Sequence, residues 1–172
     1  MNHIKIALAG NPNSGKTTIF NNLTGSRQHV GNYPGVTVEK KEGKSLHKGQ
    51  SIDVIDLPGT YSLTAYSIEE KVARQVIIEE KPDYIVNIVD VSNLERNLYL
   101  TIQLKELGVP LIIVFNMWDI AQSKGMEINI NLFSKLIQAP IVKMVGFKNK
   151  GTEELLDLIL SPEAKSFNFY PL

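Results

Sequence analysis

The sequence predicts an α/β fold: a mostly parallel six-stranded sheet with one antiparallel edge strand and helices on both faces. Three features predict it. Short apolar runs at 4–9, 84–91, 111–115 and 141–145 alternate with helix-period segments, the pattern of strands buried on both faces and joined by crossover helices. Two further runs, 38–47 and 51–57, are separated only by Lys48-Gly49-Gln50 and read as a hairpin, hence one antiparallel pair. The first strand also runs straight into a Gly- and Asn-rich loop that opens a helix.

The elements follow in order. Residues 4–9 form a strand ending at Gly10, and 16–24 a helix with Ile19, Phe20 and Leu23 on one face, stopped by Gly25. Gly31, Asn32, Pro34 and Gly35 make 26–36 a flexible loop before the hairpin. Residues 67–80 place Ile68, Val72, Val76 and Ile77 at helical spacing, and 93–108 do the same with Leu98, Ile102 and Leu104. A short helix over 132–138, a last strand over 141–145 and a last helix over 152–160, with acidic Glu153 and Glu154 in its first turn, complete one domain over 1–160. Residues 161–172 lack periodicity and read as a linker toward an element that follows.

Composition narrows the function. A chain of 172 residues with 43% hydrophobic and 21% charged residues suits one soluble globular domain. Lys+Arg and Asp+Glu are both 18, so no basic excess points to a nucleic-acid partner. There is no cysteine, which excludes disulfides, zinc–thiolate sites and thiol catalysis. The N-terminus lacks signal-peptide architecture, and no apolar run approaches the ~20 residues of a membrane span. His3, His29 and His47 are scattered and read as solvated.

The sharpest motif is Gly10-Asn11-Pro12-Asn13-Ser14-Gly15-Lys16-Thr17, a G-x-x-x-x-G-K-T phosphate loop between a strand and a helix. Its glycines let backbone N–H groups converge on phosphate oxygens, and the helix adds its positive N-terminus. Lys16 supplies charge at the β- and γ-phosphates, and the Thr17 hydroxyl is a hard ligand for Mg²⁺. The nucleotide-binding set is therefore 10–17 with Thr18 beyond it. Asp56 is placed to hold Mg²⁺, and Asp56-Leu57-Pro58-Gly59 is a D-x-x-G whose glycine N–H reaches the γ-phosphate. Thr37 is the second hydroxyl for Mg²⁺, or else a β-branched residue that merely begins a strand. On the first reading, 26–38 and 57–67 are switch segments ordered by the γ-phosphate.

Guanine is favoured over adenine by Asn116-Met117-Trp118-Asp119 after a strand. The Asp119 carboxylate accepts from the guanine N1–H and 2-amine, whereas adenine would leave it unpaired, at a cost of about 10⁴-fold. Met117 stands where Lys is usual and supplies similar apolar area along the base. A backbone donor to the base oxygen is expected in 144–148, with Gly146 as the candidate.

For hydrolysis, the candidate catalytic residues are Lys16, Asn13, Thr37 and Gly59. Thr60 follows the D-x-x-G glycine, so no glutamine is there to orient water. No arginine is an evident cis finger, since Arg27 reads as solvated, and slow intrinsic turnover, or activation by another component, follows. Asn13 either offers its amide oxygen to a monovalent cation beside the phosphates or simply suits a tight turn.

With these residues assembled, the chain resembles the N-terminal G domain of the ferrous iron transport protein B (FeoB) family, over residues 3–160. The resemblance rests on 10–17 with Thr18-Ile19-Phe20-Asn21, on Val30-Gly31-Asn32-Tyr33-Pro34-Gly35-Val36-Thr37-Val38-Glu39, on Asp56-Leu57-Pro58-Gly59-Thr60-Tyr61-Ser62-Leu63, and on Asn93-Leu94-Glu95-Arg96-Asn97-Leu98-Tyr99-Leu100. It implies a P-loop NTPase (Ras-like G domain) fold and Mg²⁺-dependent GTP hydrolysis that regulates or drives Fe²⁺ uptake. Stimulation by K⁺, with Asn13 as ligand, is implied as well. It further implies helical regulatory and membrane permease domains after residue 172, a location on the cytoplasmic face of the bacterial inner membrane, and room for small accessory iron-transport proteins and self-association. The competing readings are a ribosome- or tRNA-associated translation-class GTPase, which would need an RNA-binding appendage, and a nucleotide sensor whose hydrolysis is incidental.

Overall fold

The computed structural model describes residues 3–166. Its strands are β1 (Ile4–Gly10), β2 (Gln28–Asn32), β3 (Glu39–His47), β4 (Gln50–Asp56), β5 (Tyr84–Asp90), β6 (Leu111–Asn116) and β7 (Ile141–Lys143). Its helices are α1 (Lys16–Thr24), α2 (Ile68–Glu80), α3 (Leu94–Glu106), α4 (Trp118–Ser123), α5 (Ile130–Ile137), α6 (Thr152–Leu160) and α7 (Glu163–Ser166). The sheet order is β2-β3-β4-β1-β5-β6-β7, with β1, β4, β5, β6 and β7 parallel and β3 antiparallel to both its neighbours.

Alternation along the central strands separates two apolar layers. In β1, Ile6 and Leu8 face the layer that holds Ile19, Phe20 and Leu23 of α1 and Leu155, Leu156 and Ile159 of α6. Ala7 and Ala9 face the other, with Ala73, Val76 and Ile77 of α2 and Leu100 and Leu104 of α3. Each fully buried Ile or Leu contributes about 1.5–3 kcal/mol. The centre of the sheet therefore fixes where the loops at its edge emerge. Because α1 and α2 leave on opposite faces, their loops diverge above the carboxyl end of β1, where such sheets bind ligands.

The sheet has seven strands rather than the six expected, and its antiparallel strand β3 lies one place in from the edge. The extra strand, β2, comes from the segment read as flexible loop. It pairs with β3 in the register Val30↔Lys41 and Gly31↔Lys40. Four of its five residues are exposed, so it carries no apolar alternation to signal a strand. Gly43, opposite Gln28, lets the chain leaving α1 cross closely: a Cβ there would lie 2.8 Å from the Arg27 carbonyl. The flexible loop contracts to a turn at 33–38, closed by Tyr33 N–H to the Val38 carbonyl at 3.0 Å.

Other boundaries moved less. Strand β7 is three residues long, and α4 begins directly after Met117, so the Asn116–Asp119 tetrapeptide also opens a short helix. The chain past 160 does not leave at once, because Ala164 of α7 is fully buried in the α1–α6 layer. Phe167, Phe169 and Tyr170 of the expected linker lie outside the described residues. His3 and His29 are exposed, as read, whereas the His47 side chain is largely covered. His3 Nε2 lies 2.7 Å from Asp53 and His47 Nε2 2.6 Å from Asp157.

Candidate functional site

Backbone geometry shapes the phosphate loop first. Gly10 ends β1, Ser14 N–H donates to the Asn11 carbonyl at 3.1 Å, and Asn13 (φ 64°) and Gly15 (φ 90°) take left-handed conformations. A side chain at Gly15 would overlap the Asn116 amide, so glycine is required there twice over. No side chain caps the N-terminus of α1, which leaves its first amides directed outward for an anion. These amides border a cavity of about 400 Å³ lined by Asn11, Pro12, Asn13, Gly15, Lys16, Thr17, Thr18, Gly59 and Met117.

A smaller cavity of about 180 Å³ adjoins it, sharing Lys16, Thr17 and Gly59 and adding Glu39, Lys41, Asp56, Leu57 and Pro58. The Thr17 hydroxyl and the Asp56 carboxylate thus border one space, a hard-oxygen set that fits Mg²⁺. Lys16 and Asp56, both buried, are directly ion-paired. Burial raises the Asp56 carboxyl above the usual carboxylate range, and the Lys16 ammonium pulls the other way. Thr37 is exposed in the 33–38 turn and lines neither cavity, whereas Glu39 and Lys41 of β3 line the smaller one.

The segment after Asp56 is anchored to the phosphate loop by Thr60 N–H donating to the Gly10 carbonyl at 3.1 Å. Gly59 lies against Pro12, so that any Cβ would touch the proline at 3.5 Å. Farther on, Glu70 gathers the loop. Its carboxylate accepts from the Ser62 hydroxyl at 3.0 Å, the Thr64 hydroxyl at 3.1 Å and Tyr66 N–H at 2.9 Å. Burial opposes ionisation of Glu70, but the Tyr66 amide and the two hydroxyls outweigh it and hold the carboxyl below the ordinary glutamate value. The sequence signal for this was the Ser67-x-x-Glu70 helix start, in which the Ser67 hydroxyl accepts from Glu70 N–H.

Asn11, Asn116 and Gly146 have structural employment. Asn11 is buried and donates to the Arg96 carbonyl at 3.4 Å, away from bulk solvent. The Asn116 amide nitrogen donates to the Ser14 carbonyl at 2.9 Å and its oxygen accepts from Gly146 N–H at 3.0 Å. The Gly146 amide expected to meet the base is therefore already engaged, and its carbonyl accepts from Asn22 at 2.7 Å. Gly146 packs so tightly on α1 that a Cβ would lie 2.9 Å from Ile19. Gly146 opens the 3-10 turn Gly146–Lys148, and Phe147 follows it. Met117 (φ 59°) turns the chain between β6 and α4, and Asp119 lies with one oxygen 3.5 Å from the Lys148 ammonium.

Comparison with known proteins agrees with this geometry. Residues 4–159 match the family model described as ferrous iron transport protein B. The chain belongs to the FeoB family. A fusion of Fe(2+) transport protein A with the Fe(2+) transporter FeoB from Porphyromonas gingivalis is 52% identical over 92% of this chain and 19% of its own length. The FeoB G domain of Methanococcus jannaschii is 49% identical, with a TM-score of 0.83 over 93% of this chain and 97% of that one. The cytosolic domain of FeoB from T. maritima in its GMPPNP form is 43% identical, with a TM-score of 0.88 over 91% of this chain and 62% of that one. The seven-stranded sheet is thus the P-loop GTPase fold of FeoB G domains. The chain spans about a fifth of the length of the curated FeoB relatives it matches. Among the described residues no helix is long and apolar enough to cross a membrane, and no group of three or more His, Cys, Asp or Glu side chains is arranged to hold a metal ion.

Proposed function

We propose that this chain binds GTP and Mg²⁺, hydrolyses GTP to GDP and phosphate, and serves as the G domain of a ferrous iron uptake protein. The observation that carries the reading is the pair of adjoining cavities: the glycine-bounded loop and α1 N-terminus on one side, Thr17 with Asp56 on the other, and Gly59 and Lys16 common to both. Nucleotide-bound relatives, such as the T. maritima domain with GMPPNP, support it.

In this reading the amides of 13–18 and the Lys16 ammonium hold the β- and γ-phosphates, and Lys16 leaves Asp56 to do so. Thr17 and Asp56 hold Mg²⁺, which when bound neutralises charge on the phosphate oxygens. Thr37 reaches the same ion only if the 33–38 turn moves inward, which makes that turn the switch. The Gly59 amide meets the γ-phosphate. Asn13, exposed at the rim of the phosphate cavity, offers its side-chain oxygen to K⁺. Asp119 exchanges Lys148 for the guanine N1–H and 2-amine, Met117 covers the base, and the Gly146 amide, turning from Asn116, donates to the base oxygen. Water is held by no glutamine, so intrinsic turnover is slow.

The remaining four fifths of relatives such as the P. gingivalis protein support regulatory and membrane domains following this one. The same relative joins transport protein A to FeoB in one chain, which supports a small accessory protein as partner. This chain then works at the cytoplasmic face of the inner membrane. Titration with fluorescent GDP, GTP and ATP in Mg²⁺ tests the core of the reading. Equal affinity for ATP, or no binding at millimolar GTP, overturns it.

A further inference from the structure

The segment between Gly59 and α2 is held from two sides, and only one of them is α2. From α3, the Gln103 side-chain oxygen accepts from Leu63 N–H at 2.6 Å, and Leu63 itself is buried. The Arg96 guanidinium lies over the Tyr61 ring, 4.5 Å from its centroid. Arg96 and Gln103 are two helical turns apart and so share a face of α3. Arg96 also offers its backbone carbonyl to Asn11 of the phosphate loop at 3.4 Å. One face of α3 thus touches the phosphate loop and the segment after Gly59 together, while neither Arg96 nor Gln103 lines the phosphate cavities.

We propose that Gln103, assisted by Arg96, is a positioning residue for the phosphate chemistry: it fixes 61–63 on α3 and so holds the Gly59 amide in register with Lys16 and Thr17. The inference rests on the GTPase reading above. Thr60 is already tied to the Gly10 carbonyl and the Ser62 side chain to Glu70 of α2, so Tyr61 and Leu63 are the points at which α3 pins the segment. The Leu63 bond is part-buried, and removing its acceptor leaves an amide without a partner, a larger loss than that of a cation–π contact at the surface. Gln103 therefore carries the greater part.

The test uses Gln103→Met, Gln103→Glu and Arg96→Met in the whole chain. Amide exchange over 60–66 is followed in the GDP-loaded protein, and kcat and KM for GTP are measured in MgCl₂ and KCl. In Gln103→Met, Leu63 exchange rises about fivefold, the worth of one hydrogen bond of typical net strength, and kcat falls by a similar factor at unchanged KM. Gln103→Glu, which keeps an oxygen acceptor, restores both, and Arg96→Met shifts both less. Wild-type exchange in Gln103→Met, faster exchange with unaltered kcat, or a Gln103→Glu variant no better than Gln103→Met overturns the proposal. A wild-type chain that does not hydrolyse GTP defeats the functional reading itself; normal hydrolysis indifferent to all three substitutions defeats only this inference.

Discussion

The side chain of Asn116 spans the carbonyl of Ser14 and the amide of Gly146, at 2.9 and 3.0 Å, and so staples the phosphate loop to the base-side loop. Asn116 is 3% exposed, so both partners would be orphaned in a dry site by its removal. Asn116→Ala should lower stability by about 2–4 kcal/mol, one buried unsatisfied group at each end. It should also weaken GDP binding, because the two loops no longer hold their spacing. Thermal unfolding with and without GDP checks both effects; a melting temperature within a degree of wild type would sink the staple.

Lys16 and Asp56 neutralise one another in a buried pair, so phosphate must compete with the carboxylate for the lysine. Asp56→Asn removes the competitor and leaves a buried ammonium without its counter-charge, which destabilises the chain until an anion arrives. In EDTA, GDP should therefore raise the melting temperature of Asp56→Asn more than that of wild type. Adding MgCl₂ should help wild type and leave the variant nearly unchanged. A smaller GDP shift in the variant than in wild type under EDTA rules this competition out.

Central strands were legible because β5 and β6 are apolar on both faces and bounded by Gly, Pro and Asp. Edge strand β2 was not, since solvent on both faces removes the period-two signal on which such readings depend. The phosphate loop was legible because its requirement falls on the backbone, which only glycine at positions 10 and 15 meets. The Asn116–Gly146 hydrogen bond was not. Nothing local shows that Asn116, thirty residues earlier, takes the Gly146 amide. Glu70 left a trace in the Ser67-x-x-Glu70 helix start, whereas Gln103 was hidden: it acts on a segment that turns back toward it, and a polar residue on an amphipathic helix reads as a solvated face.

Asn13 sits at the cavity rim with φ 64°, and its left-handed backbone and its side chain make separate demands. Asn13→Gly keeps the backbone and Asn13→Ala strains it, while both remove the amide oxygen. If that oxygen holds K⁺, both variants lose KCl stimulation in single-turnover assays and keep the wild-type rate in NaCl. If the residue serves only the turn, Asn13→Gly retains the response to KCl. Retention in the glycine variant discards the cation role.

Glu70 couples the loop at 62–66 to proton concentration. Its carboxyl lies below the ordinary value of 4.5 in the folded chain, so the folded state binds this proton less readily than the unfolded one. The stabilisation is present in full above about pH 4.5 and is lost as pH falls through the lowered folded value. Glu70→Gln keeps one oxygen acceptor but loses the charge that strengthens three hydrogen bonds. At neutral pH the variant should expose 62–66 to proteolysis faster than wild type, and its loop protection should no longer fall between pH 5 and 3 beyond the general acid effect. Wild type, cleaved over the same range, should lose protection there. If both proteins are cut at parallel rates across that range, Glu70 does not secure the loop through its charge.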